Sequence, residues 1–525
     1  LNVAEILARN ARLYPDDSAL VEVVPSNNLR KAATWREFDE QANRIANTLM
    51  SLGIGRGDKV IHWMMNSINW LEVYFGILRT GAWVVPLNFR FTRKDLQYCA
   101  DVAEAKAIVF GDEFTERVEA ARSELPTIKD YILVGANPPK DTLSLAELTR
   151  RASAKEVDVE LRDADEATLY FTSGTTGQPK PILITHANVG SACITENFRQ
   201  RATHSDNMLI IPPLYHVGGM MHWLGVFIVG GCGTIMAEFS PKNLFQTVHN
   251  EKTTTCFILL PWLLDTLAAL EKGELKITDH NLSSMRMWYS GAQPIPLSVI
   301  HQWQKYFPGV LFHACYGLTE SSGPGCIYYD ESCPPGSLGK IGFNWEARVV
   351  DDDGNPLPPG MVGELCIKGD GVLKEYYKNP ELSAKTIRKG WLFTGDLVRM
   401  DEQGFFYIVD RKKDVVIYGG EKVYPKEIEN VLMQHSKIFD VAVIGVPDKR
   451  LGEIPVAVIT PKKGVKLTEE EVFKFCDEQD IPRYRRPRRI IFDSVPRSPT
   501  GKIEKPKLRE KYAGQTSMVF TDPST

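Results

Sequence analysis

"TSGTTGQPKPILITH", residues 172–186, decides how the rest of the chain is read. It continues the short apolar run "ATLYF", which reads as a strand, so the glycines fall at a strand exit. Gly174 and Gly177 free the backbone N–H groups to surround an anion. Thr172, Ser173, Thr175 and Thr176 add hydroxyl donors, and Lys180 adds a point charge. Such a turn suits phosphate. It departs from the nucleotide loop G-x-x-x-x-G-K-[ST], because Gln178 and Pro179 separate Gly177 from Lys180, and Pro181 follows the lysine. A P-loop kinase or ATPase is thereby disfavoured. Taken alone, the Gly-Thr-Thr-Gly run is a polar surface turn, and its weight depends on what accompanies it.

At 525 residues the chain exceeds one ordinary core, so two or more domains are expected. Hydrophobic content of 43% and charged content of 24% are those of a soluble globular protein. A formal net charge of −4 argues against nucleic acid or an anionic membrane surface as partner. Nine scattered cysteines without a C-x-x-C pair suggest a reduced, cytoplasmic chain with no zinc module. Residues 217–237 carry no Asp, Glu, Lys or Arg and are long enough to span a bilayer. Their six glycines, His222 and the lack of basic flanks predict instead a helix ending at Gly230-Gly231, then a buried strand. No signal peptide is visible from Leu1 onward.

Strand and helix patterns alternate through most of the length, which predicts α/β layers with mostly parallel sheets. Thr34 and Glu37 form a capping box before a helix with Phe38, Ala42, Ile45 and Leu49 on one face. "KVIHWM" (59–64), "AIVFG" (107–111), "NMLIIP" (207–212) and "CFILL" (256–260) read as buried strands. From about 335, short strands between Gly, Pro and Asp turns predict an antiparallel region, a distorted barrel. After "DRKKD" (410–414) a fresh unit begins, with a helix near "YPKEIENVLMQH", strands "VAVIGV" and "VAVIT", and a helix capped by Thr468 and Glu471.

Later motifs give the opening stretch its company. "YGLTES" (316–321), "GWLFTGDL" (390–397), "VDRKKD" (409–414), "YGGEKVYPKEIE" (418–429) and "PRSPTGKIEK" (496–505) follow in order. With "TSGTTGQPK" they resemble the signatures of the adenylate-forming superfamily, which includes acyl- and aryl-CoA synthetases, luciferases and peptide-synthetase adenylation domains. The resemblance implies a large N-terminal domain of two α/β lobes plus a β-barrel over 1–411. It also implies a small mobile C-terminal domain over 412–525, with Lys413 at the hinge. Two departures stand out. Pro181 replaces the usual glycine and removes an N–H, and Ala314 stands where relatives often carry an amide that reads adenine.

A carboxylate makes a poor acyl donor until its oxygen is turned into a phosphate leaving group by transfer of AMP from ATP. The catalytic demand is then stabilisation of charge on phosphates. By resemblance, Thr172, Ser173, Gly174, Thr175, Thr176, Gly177 and Lys180 hold the outer phosphates. Thr319 contacts phosphate, and Glu320 holds Mg²⁺. Tyr316 and Gly317, with Gly291, Ala292 and Gln293, line the adenine, while Asp396 and Arg411 serve the ribose. Lys502 bridges carboxylate and α-phosphate in adenylation. Singly, each residue has a bland alternative: Asp396 caps a turn, Glu320 is a surface carboxylate, Lys502 is a solvated lysine.

For the second step, coenzyme A is the expected acceptor. By resemblance to CoA-using relatives, Gly419 and Gly420 would let its pantetheine arm pass, and Arg90, Arg483 and Arg486 are phosphate candidates. A solvated basic face is the competing reading of "PRYRRPRR" (482–489). For the acid, His216 stands at the family's histidine position, with Met220 and Trp223 beside Gly291 and Gly317 as walls. A core role suits Met220 and Trp223 equally. No acidic residue follows in "PLYHVGG" to hold an ammonium, which disfavours amino acids. The expected activity is an ATP-dependent acid–CoA ligase for an aromatic, alicyclic or short-to-medium-chain acid. A luciferase-like oxygenase, a stand-alone adenylation enzyme and a degenerate nucleotide-binding protein are the alternatives. Partners are the small acid and coenzyme A, and a homodimer is compatible with the sequence.

Overall fold

The alternating patterns of the first half build two sheets. The computed structural model describes residues 2–172, 179–293, 295–330, 332–479, 482, 485–498 and 502–512, and divides the chain into two compact units. Unit 1 comprises residues 1–347 and 367–392; unit 2 comprises 348–366 and 393–525. Some of the region expected as a barrel therefore belongs with the C-terminal residues, and the 411/412 boundary expected from the motifs lies inside unit 2.

In unit 1, Lys59–Trp63, Trp83–Pro86, Ala107–Gly111 and Asp130–Val134 form the parallel centre of one sheet. Its edge is an antiparallel pair, Glu166–Thr172 with Lys180–Thr185, extended by the two-residue strand Glu375–Tyr376. The second sheet runs, through parallel neighbours, Leu311–Leu318, Met287–Gly291, Thr255–Phe257, Asn207–Ile210, Cys232–Met236 and Ser18–Val24. Both sheets bury apolar residues against helices. Phe110, Leu133 and Leu169 pack in one core, and Trp288, Trp303 and Phe307 in the other.

The caps form as read. Thr34 and Glu37 make a reciprocal box at the start of Trp35–Ser51, and Thr468 and Glu471 another at Glu469–Glu478. The glycine-rich run becomes the helix Val217–Phe227 followed by the strand Cys232–Met236, as expected. Among the described residues no helix is long and apolar enough to cross a membrane. "CFILL" is a correction: the strand ends at Phe257 and a helix begins at Leu260. Pro261 at the first turn explains this, since it fits a helix start and donates nothing to a ladder.

Unit 2 is built on the antiparallel pair Ile438–Asp448 and Gly452–Pro461. Alternate residues face opposite sides, so Val441 and Val443 join a core with Ile428, Leu432 and Val472. Ala442 and Ile444 pack with Leu508 and Tyr512 of the helix Lys505–Tyr512. The hairpin Val416–Tyr418/Glu421–Val423 joins the pair at its turn end, Tyr418 opposite Gly452.

Candidate active site

The carboxyl ends of parallel strands are where open α/β sheets gather ligand-binding loops. In unit 1 the strand Asn207–Ile210 leads to His216, Met287–Gly291 to Ala292 and Gln293, and Leu311–Leu318 to Thr319 and Glu320. Gly291 is obligatory there. A Cβ would lie 2.7 Å from the Cys315 carbonyl oxygen and 2.8 Å from its Sγ. Ala292 holds φ +67°, a left-handed backbone that costs a non-glycine residue about 1–2 kcal/mol. Tyr316 and Gly317 end the neighbouring strand half-buried, and Thr319 is buried at the start of the turn Thr319–Ser321.

The antiparallel pair at the other sheet's edge places Thr172 opposite Lys180, the first and last residues of the phosphate-type motif. Ser173, Gly174, Thr175, Thr176 and Gly177 lie outside the described residues. Pro181 sits opposite Phe171, and its carbonyl accepts the Tyr377 N–H at 2.9 Å. The lost N–H is thus tolerated in a strand whose carbonyl still pairs.

Tyr376, on the short strand beside Lys180–Thr185, connects these two groups. Its hydroxyl donates to Glu320 Oε1 at 2.9 Å, and Lys180 Nζ lies 5.6 Å from its ring centroid. The Leu373 N–H donates to the Glu320 carbonyl at 2.8 Å, fixing the backbone as well. Burial, and then the negative Glu320, push the Tyr376 phenol well up, so it remains a donor to the carboxylate. The sequence reading missed Tyr376. A cation, an aromatic face and a carboxylate in series can hold a polyanion and its counter-cation. Among the described residues no three His, Cys, Asp or Glu side chains gather as a cation cage. The single fixed carboxylate of Glu320 is of the type that could hold a hard cation such as Mg²⁺ together with phosphate oxygens.

His216 caps the helix Val217–Phe227, its Nδ1 accepting the Gly218 N–H at 3.0 Å. Met220 and Trp223 are fully buried on that helix. Trp223 packs against Phe227 at 4.8 Å and Phe75 at 6.3 Å, which are core contacts. Arg90 is exposed, its N–H donating to Asn88 Oδ1 at 2.9 Å.

Unit 2 carries the remaining candidates. Asp396, 2% exposed, faces Arg411 across an antiparallel pair and holds its Nε at 2.7 Å. Lys413 lies in the turn Lys412–Asp414, where Lys412 pairs with Asp352 at 2.8 Å and Glu364 at 3.0 Å. Gly419 and Gly420, both at positive φ, form the two-residue turn of a hairpin. A Cβ on Gly419 meets only Leu451 Cδ2, at 3.5 Å, so backbone conformation explains the glycine without a ligand. Arg486 pairs with Asp477 and Arg485 with Glu427, while Arg483 lies outside the described residues. Arg488 stacks on Tyr418 at 4.9 Å, which brings the basic segment beside the Gly419 turn. The Lys502 carbonyl accepts the Ser498 N–H at 2.8 Å, and Arg497 and Ile503 form a β-bridge, while residues 499–501 lie outside the described residues.

Comparison with known proteins agrees with this layout. Residues 7–377 match the model of the AMP-binding enzyme family, and residues 427–502 that of the AMP-binding enzyme C-terminal domain. The chain belongs to this family. It falls in the acyl- and aryl-CoA synthetase branch of the adenylate-forming superfamily. It is 32% identical to the long-chain-fatty-acid–CoA ligase FadD13 of Mycobacterium tuberculosis, over 98% of this chain and 99% of that one. A feruloyl-CoA synthase of Amycolatopsis is 30% identical, over 96% and 98%. Among solved structures, the anthranilate CoA ligase AuaEII in complex with anthranoyl-AMP superposes with a TM-score of 0.88 at 27% identity, covering 97% of both chains.

Proposed function

We infer that this chain is an ATP-dependent carboxylic acid–CoA ligase that works through an acyl-adenylate, releasing AMP and pyrophosphate, on a compact acid. The observation that carries the reading is the series Lys180, Tyr376, Glu320 at the loop ends of two sheets. Lys180 supplies fixed positive charge for the departing pyrophosphate, and Glu320 is held in one position by the Tyr376 hydroxyl. Mg²⁺, when bound with ATP, would neutralise phosphate charge beside Glu320.

The other roles rest on the resemblance. Residues 173–177 with Thr172 cradle phosphate, and Thr319 adds a hydroxyl. Gly291, Ala292, Gln293, Tyr316 and Gly317 border the adenosine and the acid. His216 stands beside the acid, and its cap bond fixes the ring so that Nε2 carries the proton when the imidazole is neutral. In unit 2, Asp396, oriented by Arg411, accepts from the ribose hydroxyls. Lys502 serves adenylation, Gly419 and Gly420 the thiol step, and Lys413 the hinge between them. Arg90, Arg483 and Arg486 attract the phosphates of coenzyme A. The chain is assigned to the cytoplasm on its nine scattered cysteines, which include no C-x-x-C pair, and a homodimer is compatible with it.

Labelled ATP tests the reading. With a panel of compact acids and coenzyme A, the expected products are AMP, pyrophosphate and a thioester, each dependent on the acid. Release of ADP and orthophosphate would overturn it.

A further inference from the structure

Behind the acid site of unit 1 lies a buried charged cluster that the reaction does not use. Phe257 marks the near side. Its ring edge lies 3.9 Å from a Cβ built on Gly218 and 3.5 Å from one built on Gly291, so it spans the space between those two residues. Its other neighbour is His222, ring centroids 3.9 Å apart. His222 Nε2 lies 3.9 Å from Cys315 Sγ, the sulfur that sits against Gly291. His222 Nδ1 lies 2.8 Å from Glu196 Oε2 and 3.0 Å from Arg199 Nη2, and Glu196 and Arg199 form an ion pair. Glu196, Arg199 and His222 are 0%, 4% and 0% exposed.

The far side of this cluster reaches the surface. Arg199 lines a cavity of about 350 Å³ together with Phe198, His313 and Tyr328. Contacts therefore run in series from Gly291 to Cys315 and Phe257, to His222, to the Glu196–Arg199 pair and to the cavity. An apolar chain following that series would have to separate the buried carboxylate from its guanidinium and leave each charge uncompensated, which is strongly unfavourable. A wall of leucine and methionine could yield to such a chain; this one cannot do so without exposing charge.

We propose that Glu196, Arg199 and His222 plug the far end of the acid pocket, so that this ligase takes single-ring or short-chain acids and rejects long-chain ones. The proposal rests on the reading that the acid lies beside His216 and Gly291, and it makes the three plug residues determinants of specificity rather than catalytic groups. Arg199 is held by three partners: Glu196, His222 and the Tyr289 face, 4.5 Å from the ring centroid. Gln200 Nε2 donates to Glu196 at 3.0 Å and to the His222 carbonyl at 2.7 Å. The plug is therefore tied to two helices at once, His186–Gln200 and Val217–Phe227.

Acid-dependent ATP–pyrophosphate exchange over straight-chain acids from two to sixteen carbons, with benzoate-type rings, tests it. In the unaltered protein, kcat/KM for the sixteen-carbon acid should fall at least tenfold below that for the best compact acid. In His222→Ala, and in Glu196→Met/Arg199→Met, where the pair is replaced together, the ratio of twelve-carbon to four-carbon activity should rise at least tenfold. Equal activity of the unaltered protein on long and compact acids overturns the plug, and so does an unchanged ratio in a folded variant. Because the unaltered chain supplies its own profile, the test does not depend on the variants folding. Absence of exchange with every acid overturns instead the ligase reading on which the plug depends.

Discussion

Tyr376 is the residue on which the candidate site turns. A hydrogen bond to a carboxylate contributes roughly 1.5–3 kcal/mol when its donor is well placed. Tyr376→Phe keeps the ring under Lys180 and removes only the hydroxyl that orients Glu320. ATP–pyrophosphate exchange should drop on the order of tenfold, and the Mg²⁺ concentration giving half-maximal exchange should rise. Melting temperature should change little. A Mg²⁺ titration checks this, and an unshifted midpoint would reduce Tyr376 to packing. The residue was not legible beforehand because its partner lies 56 positions away and its strand has only two residues, too short for any periodicity. Lys180, by contrast, sits in a glycine- and hydroxyl-rich run that suits phosphate, and Glu320 was legible only through the resemblance of "YGLTES" to a family signature. His222 shows the converse: in sequence it merely interrupts an apolar run, and only the fold reveals the buried Glu196 beside it.

At the level of elements, the C-terminal helix Lys505–Tyr512 is pinned by charge as well as by Leu508 and Tyr512. Lys505, 8% exposed, pairs with Glu429 at 2.7 Å and faces Asp410 and Asp414, and Arg509 pairs with Asp414 at 2.6 Å. Lys505→Met would leave buried carboxylates without their cation, a loss of about 3–5 kcal/mol for a broken buried pair. The unfolding transition of the full chain at pH 7.5 should shift to clearly lower denaturant, and an unmoved midpoint would contradict the buried network. Asp410 behaves oppositely. Burial outweighs Lys505 and two backbone N–H bonds and raises its carboxyl to about 6, with Glu429 adding to the rise.

A carboxyl raised in the folded state binds more protons there than when unfolded. Its unfavourable contribution therefore grows as pH rises from about 4 to about 6 and is full at neutrality. Asp410→Asn removes this titration and one of two N–H acceptors, so its stability relative to the unaltered protein should improve by roughly 3 kcal/mol between pH 4 and pH 7.5. Denaturant midpoints at the two pH values check the sign. Elements with local signals, such as the Thr34 and Thr468 capping boxes, were readable in the sequence. The membership of residues 348–366 in unit 2 was not, because it depends on long-range contacts rather than on a turn or composition change.

The whole molecule must serve two chemical steps with one set of C-terminal residues, and the geometry of unit 2 bears on how. The Gly419 turn joins the strand pair at its hairpin end, where Tyr418 meets Gly452 and Gly419 donates to Leu451. The segment just before Lys502 attaches at the other end, through Arg497 on Asp440 at 2.7 Å and the Val495 N–H on Thr460 at 3.1 Å. Asp440 and Asp448, eight residues apart on one strand, are separated by about 26 Å at the usual rise per residue. On the proposed roles, the strand pair with Gly419 near one end and Lys502 near the other would offer one or the other to a given reacting centre, and we propose that the residues after Lys413 swing between half-reactions. Lys502→Ala should then abolish acyl-AMP formation, by on the order of 100-fold or more for a lost transition-state contact. Thioester formation from supplied acyl-AMP should survive. Gly419→Leu should do the converse, and Gly419→Ala, which shares the cost of φ +59° but not the bulk, should retain most thioester formation. Single-turnover assays of each half-reaction decide the matter: equal losses in both steps for Lys502→Ala would mean that the two ends of unit 2 do not alternate.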